Sequence, residues 1–273
     1  MRFSHGASCP EIAPVECGEE DIPDHFHHQT LTLLRMEPRF SAGLGKGFLI
    51  NLAIPIDLKL TRFRYTLTDG SPFEPSQARL LHQEQDRIGL SDIRIEFKGY
   101  RGIAETPMII GARLGVVLPT GATTSSPFGA REAGHTQRTL QFGGGTFDPT
   151  AGIELILYGA KVGMIGQFGG RFPLYENQHG YRGPIALNGS IGPNFRLPEP
   201  VRALQITTIM TASWLSPEYW DGEPAENSGL GTVGAAIALT WNINPKLALS
   251  GSLNFRIFED AEGEQFKQPV AGT

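Results

Sequence analysis

One alternation constrains this chain more than anything else in it. Phe48, Ile50, Leu52, Ile54, Ile56, Leu58 and Leu60 occupy one parity, and Leu49, Asn51, Ala53, Pro55, Asp57 and Lys59 the other. Successive side chains of a β-strand point to opposite faces, so this stretch has one continuous apolar face and one largely polar face. It is long beside the roughly 5–6 residues of an ordinary strand. It approaches the roughly 9–11 tilted residues with which a strand crosses a bilayer.

The pattern recurs. Met108, Ile110, Ala112, Leu114, Val116 and Leu118 alternate with Gly111, Arg113 and Gly115. Similar rows run through 185–192, 204–214, 232–242 and 247–257, and less regular ones near 31–42, 91–99, 137–158 and 161–172. About ten strands are expected. The single helical candidate, 75–87, is polar on most sides and reads as a loop turn or a short surface helix.

Two settings fit such alternation. In a soluble barrel or sandwich the apolar face is the inside; in a membrane barrel it faces lipid and the polar face lines a lumen. Three features favour the membrane. The strands are long. The polar face is rich in Gly, Ala, Ser, Thr and Asn, where a solvated face would carry more Lys and Glu. Aromatics gather near strand ends, among them Phe40, Phe48, Tyr100, Tyr158, Phe172, Tyr175, Trp214, Tyr219, Trp220, Trp241 and Phe258, as interfacial belts require. A net charge of −5 gives no reason to expect nucleic acid.

Links alternate in length. Short ones fall at 43–47, 100–106, 159–160, 198–200 and 242–246; long ones, polar and rich in Gly, Pro and Ser, span about 63–88, 120–136, 173–183 and 215–229. Short turns alternating with long loops mark an up-and-down outer-membrane barrel. The expected fold is therefore all-β, an antiparallel transmembrane barrel of about 10 strands (10–12). Residues 1–27 read as an N-terminal extension, 28–258 as the barrel and 259–273 as a tail. With ten strands, both termini fall on the long-loop side, whereas such barrels keep them with the short turns. No apolar core follows Met1-Arg2-Phe3-Ser4-His5-Gly6, so no signal peptide is read. The strands favour a mature form or a misplaced start over a cytoplasmic protein.

Arg39-Phe-Ser-Ala-Gly-Leu-Gly-Lys-Gly-Phe-Leu-Ile-Asn-Leu-Ala-Ile-Pro55, Gly89-Leu-Ser-Asp-Ile-Arg-Ile-Glu-Phe-Lys98 and Gly111-Ala-Arg-Leu-Gly-Val-Val-Leu-Pro-Thr-Gly121 together resemble the outer-membrane proteins of the MetA-pathway of phenol degradation family. The resemblance covers about 39–258. It implies an outer-membrane barrel that passes small hydrophobic or aromatic compounds, and it supplies no catalytic residues.

The charged positions of the polar faces are the candidate lumen lining: Asp57, Lys59, Asp92, Arg94, Glu96, Lys98, Arg113, Glu154, Arg196 and Arg256. Both signs occur, and unpaired charge in a narrow lumen is costly, so cross-strand ion pairs are expected. These serve as a structural lattice or as a selectivity lining. Near the start, Cys9, Cys17, His25, His27 and His28 cluster. A Cys9–Cys17 disulfide, two unrelated thiols, or a zinc or copper site built with the histidines all fit the residue types. The spacing matches no standard finger or redox motif.

Catalysis has little to stand on. His82, His135 and His179 fall in expected long loops beside Ser125 and Ser126, but no G-x-S-x-G is present. Gly143-Gly-Gly145 lacks the Lys-Ser/Thr of a phosphate loop and reads as relief of crowding or a strand bend. The expected function is passive passage or binding of a small hydrophobic or aromatic molecule in the outer membrane of a Gram-negative-type envelope, without cofactor or catalysis, with membrane lipid as the partner. The rivals are a plugged structural barrel whose long loops bind a partner, and a soluble ligand-binding barrel.

Overall fold

The computed structural model describes residues 2–7, 25–74, 85–123, 141–198, 203–225, 228–244, 247–261 and 270–272. Among them every regular element is a strand. In chain order these are β1 (Arg2–Ala7), β2 (His25–Met36), β3 (Arg39–Gly45), β4 (Phe48–Ala53), β5 (Ile56–Leu67), β6 (Pro72–Phe73), β7 (Gln85–Leu90), β8 (Ile93–Gly102), β9 (Met108–Leu118) and β10 (Asp148–Leu157). They continue with β11 (Val162–Arg171), β12 (Tyr181–Arg182), β13 (Ala186–Arg196), β14 (Leu204–Leu215), β15 (Tyr219–Trp220), β16 (Glu223–Pro224), β17 (Leu230–Asn244), β18 (Leu247–Ala261) and β19 (Val270–Gly272). Pairing is antiparallel throughout. The main sheet runs β19-β18-β17-β14-β13-β11-β10-β9-β8-β4-β3, and β1, β2, β5, β6 and β7 form a second one.

The two sheets share three chain passes. The stretch 48–60, expected as one strand, is two: β4 and β5 are separated at Ile54–Pro55. Proline has no N–H to give a ladder and fixes its own φ, which breaks the run. The neighbouring passes break at the same level, between β2 and β3 at Glu37–Pro38 and between β7 and β8 at Ser91–Asp92. Backbone hydrogen bonds still cross the line, from Ile54 N to Pro38 O (3.0 Å) and from Ser91 N to Pro55 O (2.9 Å). Ala53 pairs with Arg94 while Ile56 pairs with Leu90, so one extra residue sits at Ser91–Asp92. Such a bulge re-aims side chains and bends the strand.

With those passes joined, each of the ten expected stretches contains a strand. At the sheet's outer edges β1 pairs with β2 and β19 with β18. β1 runs toward the long-link end and β19 away from it, in stretches expected as extension and tail; β1 starts beside Thr30 and β19 ends beside Leu253. Among the described residues no pairing joins the two edges. Of the expected helical candidate, 75–84 lie outside the described residues and 85–87 belong to β7. The strand expected near 137–158 begins only at Asp148; residues 141–147 leave the sheet.

Burial is inverted relative to a soluble protein. Leu114 is 65% exposed and Ile153 61%, and Phe168, Ile191, Met210, Ile237, Leu253 and Ile257 are also exposed. The most buried large side chains are Asp57, Thr146 and Asp148. Phe48 and Ile50 lie on the outward face, as the period-two argument requires. Exposed aromatics mark both rims: Phe48, Tyr158 and Trp241 near the short turns, Phe147, Tyr175, Trp214 and Phe258 near the long links, while Phe40 is exposed at the end of β3 away from its turn. Tyr100 departs from that expectation, because it points inward to Glu154.

Candidate functional site

The strands that alternate most cleanly place their charged parity in the interior, where it forms ion pairs. At the break line, Arg35 on β2 lies directly opposite Asp57 on β5. Its Nε and Nη2 donate to the two carboxylate oxygens of Asp57 (2.7 and 2.8 Å), and the Ser91 hydroxyl adds a third bond (2.6 Å). Asp57 is only 1% exposed, and three bonds satisfy it, as buried charge demands. Nearby, Glu37 accepts from Arg39 (2.6 Å) and Arg94 (3.3 Å).

Further toward the short turns, Lys98 on β8 faces Arg113 on β9. Like charges directly opposite repel. Glu154 on β10 relieves them: it takes Lys98 Nζ at 3.1 Å and the Tyr100 hydroxyl at 2.6 Å, and stands 3.7 Å from Arg113. Asp148 accepts the Thr146 hydroxyl (2.6 Å) and stands 3.7 Å from Arg171 Nε.

A segment after β9 folds into this interior. Asp92 accepts from the backbone N–H of Gly121 (2.9 Å) and of Gly144 (2.7 Å). Lys59 donates to the Gln141 carbonyl, with its ammonium 5.5 Å over the Phe142 ring. Asn177 Nδ2 donates to the Gly144 carbonyl (2.9 Å). The Gly-Gly-Gly run lies outside the strands and relieves crowding, one of its two expected readings. A side chain at Gly143 would collide with Asp92 and the Gly121 backbone, so only glycine lets the segment approach this closely. Above it β12, β15 and β16 form a small sheet joining two long links, with Arg182 4.1 Å over Tyr219 and Tyr181 4.8 Å from Trp220.

A cavity of about 1020 Å³ lies among these parts. Of the ten expected lining residues, Lys59, Asp92, Arg94, Glu96, Lys98 and Arg113 line it. Asp57 and Glu154 stand behind the lining as partners of Arg35 and of the Lys98–Arg113 pair. Arg196 stands exposed at the short-turn end, 5.5 Å from the Tyr158 ring. Arg256 pairs with Glu259 on β18. The list of expected residues lacked Arg35, Glu37, Arg39, Asp148 and Arg171. The first three keep the inward parity of 31–42 across Pro38, a signal present in the sequence. Cys9, Cys17, His82, His135, Ser125 and Ser126 lie outside the described residues. His25, His27 and His28 lie on the backbone of β2, between β1 and β5. His179 sits in a link, where its backbone N–H donates to Asn177 Oδ1 (2.8 Å).

The interior is two-sided. From β2 to β11 it is dense in charge; from β13 onward it carries Asn188, Asn194, Thr207, Ser213 and Thr232, joined by Asn194–Thr207 (2.7 Å) and Ser213–Thr232 (2.6 Å) bonds, beside the Arg256–Glu259 pair.

Among solved structures, the chain is similar to the COG4313 outer membrane channel from Pseudomonas putida F1, with a TM-score of 0.55 over 91% of this chain and 82% of that one, at 12% identity. The fold is that of an outer-membrane β-barrel. No protein-family model and no curated protein matches the sequence.

Proposed function

We propose that this chain is an outer-membrane channel for passive passage of a small molecule with an apolar or aromatic body. One observation carries the reading: large apolar side chains cover the outside while charged residues surround an internal cavity. That arrangement suits lipid outside and water or solute inside. The barrel likeness to a channel supports it, as does the sequence resemblance to the phenol-degradation family. Val117, Phe142, Leu215 and Leu230 add apolar surface to the cavity wall. Passage needs no catalytic step and no cofactor. Purified protein inserted into a planar lipid bilayer tests the proposal: discrete current steps are expected, and a tight, silent bilayer after verified insertion refutes it.

A second reading has its own observation. The inward segment 141–147 is tied to Asp92, Lys59 and Asn177, as a plug would be. In that case the barrel is structural and its long links bind a partner. The same bilayer measurement separates the two, since a plugged barrel carries no current.

A further inference from the structure

The charges of the interior sum to near balance, but they are not equally accessible. Asp57, Asp148 and Glu37 lie against the wall, and the longer cation paired with each reaches further into the space. Asp148 is 3% exposed and Arg171 37%; Asp57 is 1% exposed and Arg35 49%. Glu37 is likewise more covered than Arg39 or Arg94. A solute in the cavity therefore meets guanidinium groups first. Of the acids that line the space, Glu37 is held by Arg39 and Arg94, Asp92 by two backbone N–H groups and Asp148 by the Thr146 hydroxyl, while Glu96 and Glu218 are half-buried.

Most of these cations are held by short bonds. Arg113 and Arg171 are different, because each stands 3.7 Å from its acid, beyond hydrogen-bond reach. Glu154 has its own partners in Lys98 and Tyr100, and Asp148 has Thr146. The backbone brings the two arginines together. Arg113 pairs across to Gly152, and Gly152 to Gly169, which precedes Arg171 by two residues on the same face. A Cβ on Gly152 would meet Arg113 Nε, and one on Gly169 would lie 2.6 Å from its Nη2. The Arg113 side chain thus lies over two glycines, Gly152 on β10 and Gly169 on β11, and extends toward β11. Thr150, Gln167 and Asn188 line the cavity beside it.

We propose that Arg113 and Arg171 form a binding site for the carboxylate of a small organic acid. Two planar guanidinium forks match a carboxylate bidentately. Hydroxyl and amide groups from Thr150, Gln167 and Asn188 complete its bonds, and the apolar surface of Leu215, Leu230 and Val117 receives the acid's body. The site gives the proposed channel its substrate class and rests on that reading for access, but binding can be measured without conduction.

The test uses the whole protein in detergent micelles, with propionate followed by saturation-transfer NMR, and the same protein in bilayers bathed in potassium propionate. Propionate should bind saturably, propionamide should not compete, and chloride should displace it only weakly. Loss of one charge-assisted fork in Arg171→Gln or Arg113→Gln should weaken binding about tenfold, or roughly 1.4 kcal/mol. Arg171→Lys, which keeps charge and loses the fork, should fall between. Circular dichroism establishes that each variant is folded, and Arg171, at a strand end, is the substitution least able to disturb the sheet. Equal binding of propionamide, equal displacement by chloride, or unchanged affinity in both glutamine variants overturns the site. Current without propionate binding overturns the site and leaves the channel standing. Binding without current does the reverse.

Discussion

Ile153→Arg offers the sharpest test of which face meets lipid. Ile153 is 61% exposed near the middle of β10. Leu157 ends the same strand on the same outward parity. Four residues at about 3.3 Å each, tilted by roughly 40°, separate the two by about 10 Å along the membrane normal. An apolar band about 25 Å tall puts Ile153 near its middle and Leu157 near its edge. Arginine on the lipid face costs about 2–4 kcal/mol at the midplane and about 0–1 kcal/mol at the interface. Ile153→Arg should therefore destabilise by that larger amount and Leu157→Arg by the smaller one, each relative to alanine at its own site. Denaturant unfolding from phospholipid vesicles reads both. If arginine costs nothing at 153, or costs the same at the two positions, the outward face does not meet hydrocarbon and the channel proposal loses its foundation.

Three further outcomes follow from the geometry. In a double-mutant cycle of Asp57→Asn with Arg35→Gln, the coupling should be about 1–2 kcal/mol, a bidentate charged pair discounted for the half-exposed arginine; a coupling near zero would remove the pair as the tie across the break line. Asp92→Ala frees the two backbone N–H groups it holds at Gly121 and Gly144, so single-channel conductance should rise; an unchanged step size would show that 141–147 does not narrow the path. In single-tryptophan variants, brominated lipid should quench Trp214 and Trp241, which are exposed at opposite rims, more than Trp220, which packs in the small sheet against Tyr181; equal quenching of all three would contradict that placement.

Local pattern carried most of the fold. Period two finds a strand whenever one face is uniform, and it did so for 108–118 and 204–214 without correction. Its failures have particular causes. Pro55 interrupts a ladder without interrupting the alternation, so 48–60 looked continuous although it crosses a break. Residues 141–147 lie beside strand-like sequence, but the backbone N–H groups of Phe142 and Gly143 go to the Ala122 carbonyl and that of Gly144 to Asp92, and no local signal announces partners that distant. The interior charges were legible because parity alone assigns them to one face. Which of them would be tightly paired was not, since that depends on register between strands: Lys98 opposite Arg113 becomes visible only once β8 is set against β9. Arg171 and Asp148 escaped notice because each closes or opens a strand, where the alternation has too few neighbours to be read.

Nearly every long pass in this sheet is bonded to the passes just before and after it in the chain. A ribbon of that kind assembles hairpin by hairpin, and each closure spans only the turn or longer link between neighbouring passes, whose entropic cost grows slowly with length. Growth can begin anywhere along it and spread both ways. Only the meeting of β1 with β19 would join remote parts of the sequence, so the ribbon's unpaired rims are the last backbone groups to be satisfied. Until then they are the surfaces through which a nascent copy could wrongly pair with another.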